Sequence, residues 1–165
     1  MKTFLNVSVI AVFLLFCTGR VQAQTTQPKL DQMELMKNFI GTWQANAGKD
    51  TVEVWDCQQY GKAFIINVYH LVKNQKSPVY VNNVGYDSRD DKVKGYVLWV
   101  NGAYTTWIAV FTTEKKFAVD IVDNFDPEKV WLKYEMLYIS PTERIWTEYN
   151  TSGVKVSEMK FTKTN

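Results

Sequence analysis

The single histidine, His70, and the carboxylates Asp120, Glu135 and Glu148 are the residues best suited to proton transfer. An imidazole titrates near neutral pH, and a carboxylate does so when burial raises its pKa. No pattern in the sequence fixes a partner for any of them. His70 therefore also reads as a half-exposed residue at the end of a strand, and the three acids as a solvated outer face. No catalytic residue is assigned, and His70, Asp120 and Glu135 stand as the candidates. Cys57 would need a nearby base to act as a thiolate, and none is visible, so it reads as a small buried apolar residue. One histidine rules out a multi-histidine zinc site, and no cysteine pair is spaced for metal. Neither a phosphate-cradling glycine loop nor a nucleophile elbow occurs. No cofactor is expected.

Aromatic residues offer binding rather than catalysis. The chain carries six Trp and nine Tyr, enough to line a pocket for a flat apolar molecule or to build a platform for sugar rings. The plainer use is core packing and cross-strand pairing, which suits aromatics in any sheet. Trp55, Tyr69, Trp99, Trp107 and Tyr134 lie on neighbouring expected strands and are the candidate ligand contacts. A register error of one residue would turn any of them outward.

The elements that must position these residues are strands. Alternation or apolar runs occur near 42–46, 51–57, 62–73, 78–87, 92–100, 104–113, 116–123, 129–139, 143–150 and 154–162. About ten strands at this spacing indicate an all-β barrel or sandwich. The intervening turns are short, so sequential strands lie side by side, and a meander this long curls shut. The expected fold is a closed antiparallel up-and-down β-barrel. Asn101-Gly102 carries the strongest hairpin signal, for a type I′ turn. Leu30, Met33, Leu35, Met36 and Phe39 recur at helical spacing, with Asp31 placed to cap a short amphipathic helix that Gly41 ends. Both faces of strand 62–73 are largely apolar, so the helix is expected to cover its outer side.

Met1–Ala23 reads as a cleaved secretory signal: Lys2, an apolar run Leu5–Phe16, and small residues before the cleavage point in Val21-Gln22-Ala23. A lipid-anchoring signal at Cys17 is the weaker alternative, because Phe16 is too large for the position before such a cysteine. The domain plan is 1–23 signal, 24–34 lead-in and start of the helix, and 35–165 barrel. The destination is the periplasm or the exterior. Lys2 and Arg20 leave with the signal, which takes 19 basic residues to 17 against 17 acidic ones. An electroneutral domain argues against nucleic acid as partner. Cys57 is then the sole cysteine, so a packed core rather than a disulfide must hold the domain. No apolar run beyond the signal reaches membrane-spanning length.

Phe39-Ile40-Gly41-Thr42-Trp43 resembles the first-strand motif of the calycin superfamily, which includes lipocalins and fatty-acid-binding proteins. Val84-Gly85-Tyr86-Asp87, Asp90-Asp91-Lys92-Val93 and Trp99-Val100-Asn101-Gly102 are similar to the central hairpins of small secreted bacterial lipocalin-like domains. With the strand count, the resemblance spans about Leu35–Phe161. It implies that Gly41 and Trp43 form a structural floor, with a basic residue across the indole, either Arg144 or Lys160. The two-helix lid of the fatty-acid-binding branch is replaced here by Gly48-Lys49-Asp50. The late-strand histidine of a haem-binding branch is missing, which speaks against haem.

The function that follows is a secreted, lipocalin-like protein binding a small apolar or amphipathic molecule in the barrel. One alternative is an isomerase, cyclase or hydrolase that uses the same cavity. The other is an accessory carbohydrate-binding protein of a polysaccharide-degrading system.

Overall fold

A computed structural model describes residues 29–164. The expected signal segment, Cys17 and most of the lead-in lie outside these residues. Among the described residues, helix α1 (Gln32–Met36) comes first, followed by a 3-10 turn (Lys37–Phe39) and ten strands. They are β1 (Gly41–Gly48), β2 (Thr51–Tyr60), β3 (Ala63–Val72), β4 (Gln75–Asp87) and β5 (Lys92–Trp99), then β6 (Tyr104–Thr113), β7 (Lys116–Asp123), β8 (Asp126–Ser140), β9 (Glu143–Tyr149) and β10 (Lys155–Thr164). Every sequential pair is antiparallel, and β1 also pairs with β10, so the sheet is a closed up-and-down barrel. The closing seam is short: Thr42 faces Thr164, Trp43 faces Lys163 and Gln44 faces Thr162.

Alternation sorts the side chains. Phe64, Ile66 and Val68 of β3 are buried, as are Trp107, Ala109 and Phe111 of β6 and Phe117, Val119 and Ile121 of β7. Two hairpins, at Lys73-Asn74 and Asn124-Phe125, have positive φ at both residues, as type I′ turns require. The Asn101-Gly102 turn differs from expectation, since only Gly102 has positive φ. Asn101 Oδ1 instead accepts from Ala103 N at 3.0 Å. This side-chain turn holds Asn101 in an ordinary conformation.

Helix α1 does not cover the outside of β3. Asp31 Oδ1 caps it by accepting from Glu34 N at 3.0 Å, and the following turn drives Phe39 into the barrel. Phe39 meets Phe117 at 5.1 Å, Phe111 at 5.9 Å and Phe64 at 6.2 Å between ring centroids. A helix of five residues has little stability of its own, so this burial holds it. Gln32 adds a second anchor, donating to Phe111 O at 3.1 Å and accepting from Phe111 N at 2.7 Å. The β5–β6 ladder ends at Val93 and Ala109, and the Gln32 amide continues it in place of the missing strand. Trp43 completes the closed end. It is buried and donates from Nε1 to Phe39 O at 3.0 Å. Gly41 enters β1 at φ 114°, where a Cβ would strike the Lys163 side chain. Among the described residues, no helix is long and apolar enough to cross a membrane.

Candidate functional site

Above this floor the barrel encloses a cavity of about 150 Å³. Its walls are the inward residues of the strands, chiefly Trp55, Ile66, Val97, Trp107, Ile121 and Tyr134. Asn82, Thr105 and Arg144 are its polar members apart from Cys57 and the tyrosines. The lining reaches the surface at Trp99 and Trp131, the latter 55% exposed.

Four of the five candidate ligand contacts, Trp55, Trp99, Trp107 and Tyr134, meet in this lining. Tyr69 does not. It follows Val68, which faces inward, and its ring instead lies under Lys76 Nζ at 3.8 Å. Trp107 is fixed by an Nε1 hydrogen bond to Asn82 Oδ1 at 3.0 Å. Its indole crosses Gly95 so closely that a Cβ there would lie 2.3 Å from the ring. Tyr134 stacks on Trp146 at 4.8 Å, and Trp146 meets Trp55 edge-on at 5.2 Å. Burial, and then the Glu148 carboxylate, push the Tyr134 phenol up to about 12. Burial raises the Tyr80 phenol as well.

The acid–base candidates separate. Asp120 and Glu135 take the outer wall, where Lys133 lies 3.9 Å from Asp120 and Lys116 2.6 Å from Glu135. Their neighbours Val119, Ile121, Tyr134 and Met136 hold the interior positions, so strand alternation keeps both acids from the cavity. His70 is at the open end, its Nε2 3.4 Å from Glu53 Oε2. Trp55 Nε1 donates to the other oxygen of Glu53 at 2.5 Å. Glu53 escaped the sequence reading. Its signal was its place two residues before Trp55, which puts both on one face of β2. The carboxylate thus orients an imidazole and an indole at the rim. Among the described residues, no group of three His, Cys, Asp or Glu is placed to hold a metal ion.

Cys57 is buried in the lining, and burial pushes its thiol up to about 12. It is therefore a neutral thiol at physiological pH and a poor nucleophile. The basic residue across the Trp43 indole is Arg144, whose guanidinium carbon is 4.1 Å from the ring centroid. Lys160 instead turns outward to Glu143 at 2.7 Å. Arg144 also lies 5.0 Å from Trp55 and 5.4 Å from Phe161. Burial pushes the guanidinium down to about 10, which still leaves it a cation at neutral pH.

No protein-family model matches the chain, and no curated protein matches it. Among solved structures, a redesigned β-barrel is similar at 16% identity with a TM-score of 0.32, covering 81% of this chain and 95% of that one. The closed barrel is established by the chain's own strand ladder.

Proposed function

We propose that this protein is an exported, calycin-like carrier that holds a small apolar or amphipathic molecule inside its barrel. The observation that carries this reading is the enclosed, largely apolar cavity, with aromatic walls and few polar groups. Such a composition is typical of small-molecule sites. An apolar cavity of about 150 Å³ accepts a ligand of roughly one aromatic ring. The aromatic rim suits the outer end of an amphipathic molecule. The calycin assignment rests on the Gly41-Thr42-Trp43 motif and its Arg144 partner, and export on the Met1–Ala23 pattern.

Native mass spectrometry of the protein from its own host's exported fraction tests the reading, followed by denaturation and identification of released compounds. A stoichiometric small molecule is expected, on a chain beginning at Gln24. An empty barrel that also shows no thermal shift with a panel of one-ring compounds would overturn the carrier role.

A second reading has one observation in its favour, the Glu53–His70 pair 3.4 Å apart at the rim. A carboxylate that orients an imidazole can assist proton transfer from a molecule seated below it. Turnover of a cavity-bound compound that His70→Ala abolishes, with binding retained, would favour an enzyme.

A further inference from the structure

Arg144 presents a charge without a counter-charge. Its side chain is 2% exposed and forms part of the cavity wall. Its Nε has no hydrogen-bond partner. The titratable groups that act on it most are Tyr138, Cys57 and Tyr80, all neutral at physiological pH. Carboxylates nearby on the inner face are engaged elsewhere, Glu53 by Trp55 and His70 and Glu148 by Ser157 at 3.3 Å. Glu143, beside Arg144 in sequence, pairs with Lys160 on the outer wall.

A buried cation is costly unless something compensates its lost hydration. The rings of Trp43, Trp55 and Phe161 supply part of that compensation through their π faces. They do not satisfy the Nε–H donor, which has no partner, and the edge of a guanidinium that carries it matches the two oxygens of a carboxylate. The same residue borders space that is otherwise apolar. A ligand complementary to both features has a compact apolar body and one anionic end.

Building on the carrier reading above, we infer that the cavity takes a small monocarboxylate, a ring or short chain in size, with its carboxylate on the Arg144 guanidinium. The anion enters head first. Arg144 belongs to the Trp43 end of the barrel, whereas the Glu53 carboxylate at the open end repels a negative charge held there. The apolar body then fills the space between Trp55, Trp107 and Tyr134. Stacking on Trp43 and binding a carboxylate are compatible, because the first uses the face of the guanidinium and the second its edge.

Calorimetric titration with phenylacetate and its neutral isostere phenylacetamide tests the inference. The wild-type protein is expected to bind the anion at least about ten-fold more tightly, as a charge-assisted hydrogen bond in a dry site would give. Arg144→Met is expected to erase the difference while leaving phenylacetamide affinity within a few-fold. The wild-type comparison needs no variant, so it decides the matter even if Arg144→Met fails to fold. In that event, a shift of the Arg144 Nε–H resonance on adding phenylacetate to wild-type protein locates the contact. Equal binding of the two probes would overturn the carboxylate inference and leave the carrier reading intact. Binding of neither at millimolar concentration would overturn the carboxylate inference; the carrier reading falls only if the barrel from the native host is also empty and no one-ring compound shifts its melting.

Discussion

At the closed end of the barrel, Phe39, Phe111 and Phe117 pack ring against ring, with Phe111 and Phe117 only 4.6 Å apart. At the open end, Trp99, Tyr104 and Trp131 leave a third or more of their surface in water. The two ends draw on the same class of side chain for different work. Below, the aromatic rings fill space, and the Trp43 indole among them is tied to Phe39 O. Above, the rings border space, and their polar neighbours Glu53 and His70 face each other across the rim. The contrast separates residues that make the fold from residues free to meet a ligand. Arg144 stands at the boundary, packed like a floor residue yet exposed to the cavity.

The sharpest test of this division is Trp43→Ala. Loss of a buried indole costs about 3–5 kcal/mol, and denaturant unfolding should show it directly. An unchanged midpoint would remove Trp43 from the floor. Gln32→Ala comes next, with a cost of about 1–3 kcal/mol, since it leaves both backbone groups of Phe111 without their partner. Gly95→Ala should cost a similar amount by pushing the Trp107 indole off the wall. It should also weaken ligand binding, which Gln32→Ala should not. Trp131→Ala defines the other extreme. An exposed rim residue should change stability by less than about 0.5 kcal/mol, while any amphipathic ligand loses affinity several-fold. A large stability loss there would dissolve the distinction between the two ends.

A titration extends the comparison. Cys57, Tyr80, Tyr134 and Tyr138 all have their acid forms favoured by burial. The folded state therefore holds protons that the unfolded chain releases first. Their contribution is complete below the unfolded values, near 9.0 for the thiol and 10.0 for the phenols, and falls as pH climbs toward the folded ones. Arg144 runs the opposite way but is one group against four. Thermal scans should show the melting temperature dropping from about pH 9 upward, together with faster alkylation of Cys57. A melting temperature that holds steady to pH 11 would place these groups in a wetter interior than the structure has.

The wall of the barrel was legible because strand alternation is a local signal. Trp107-Ile108-Ala109-Val110-Phe111 already separates two faces, and the structure keeps that separation. Choosing the inward face was harder where both faces are apolar. In β3 the positions alternating with the interior ones are Ile65, Asn67, Tyr69 and Leu71, mostly apolar, so Tyr69 was as credible inside as Val68. Asp120 and Glu135 were uncertain because the sequence does not say which face of each strand is interior; the cavity-lining neighbours Val119, Ile121, Tyr134 and Met136 and the cross-strand lysines settle it. The helix could be recognised from Asp31 and its apolar spacing, but its target could not. Gln32 reaches Phe111 across 79 residues, and no local pattern encodes that contact. Arg144 and Lys160 were indistinguishable as partners of Trp43 until the register of β9 against β10 set Arg144 opposite Phe161.

The seam between β1 and β10 sets the timing of folding during synthesis. Thr164 Oγ1 donates to Thr42 O across 122 residues of chain, and among the described residues β1 meets β10 at three positions. A ribosome must therefore release β10 before the wall can close. Until then both outer strands of the growing sheet offer unpaired backbone to other chains. Contacts between strands this far apart in sequence are slow to form. A chain stopped short of Lys155 would keep nine strands and lose its cylinder, leaving β1 and β9 open to pair with neighbouring molecules.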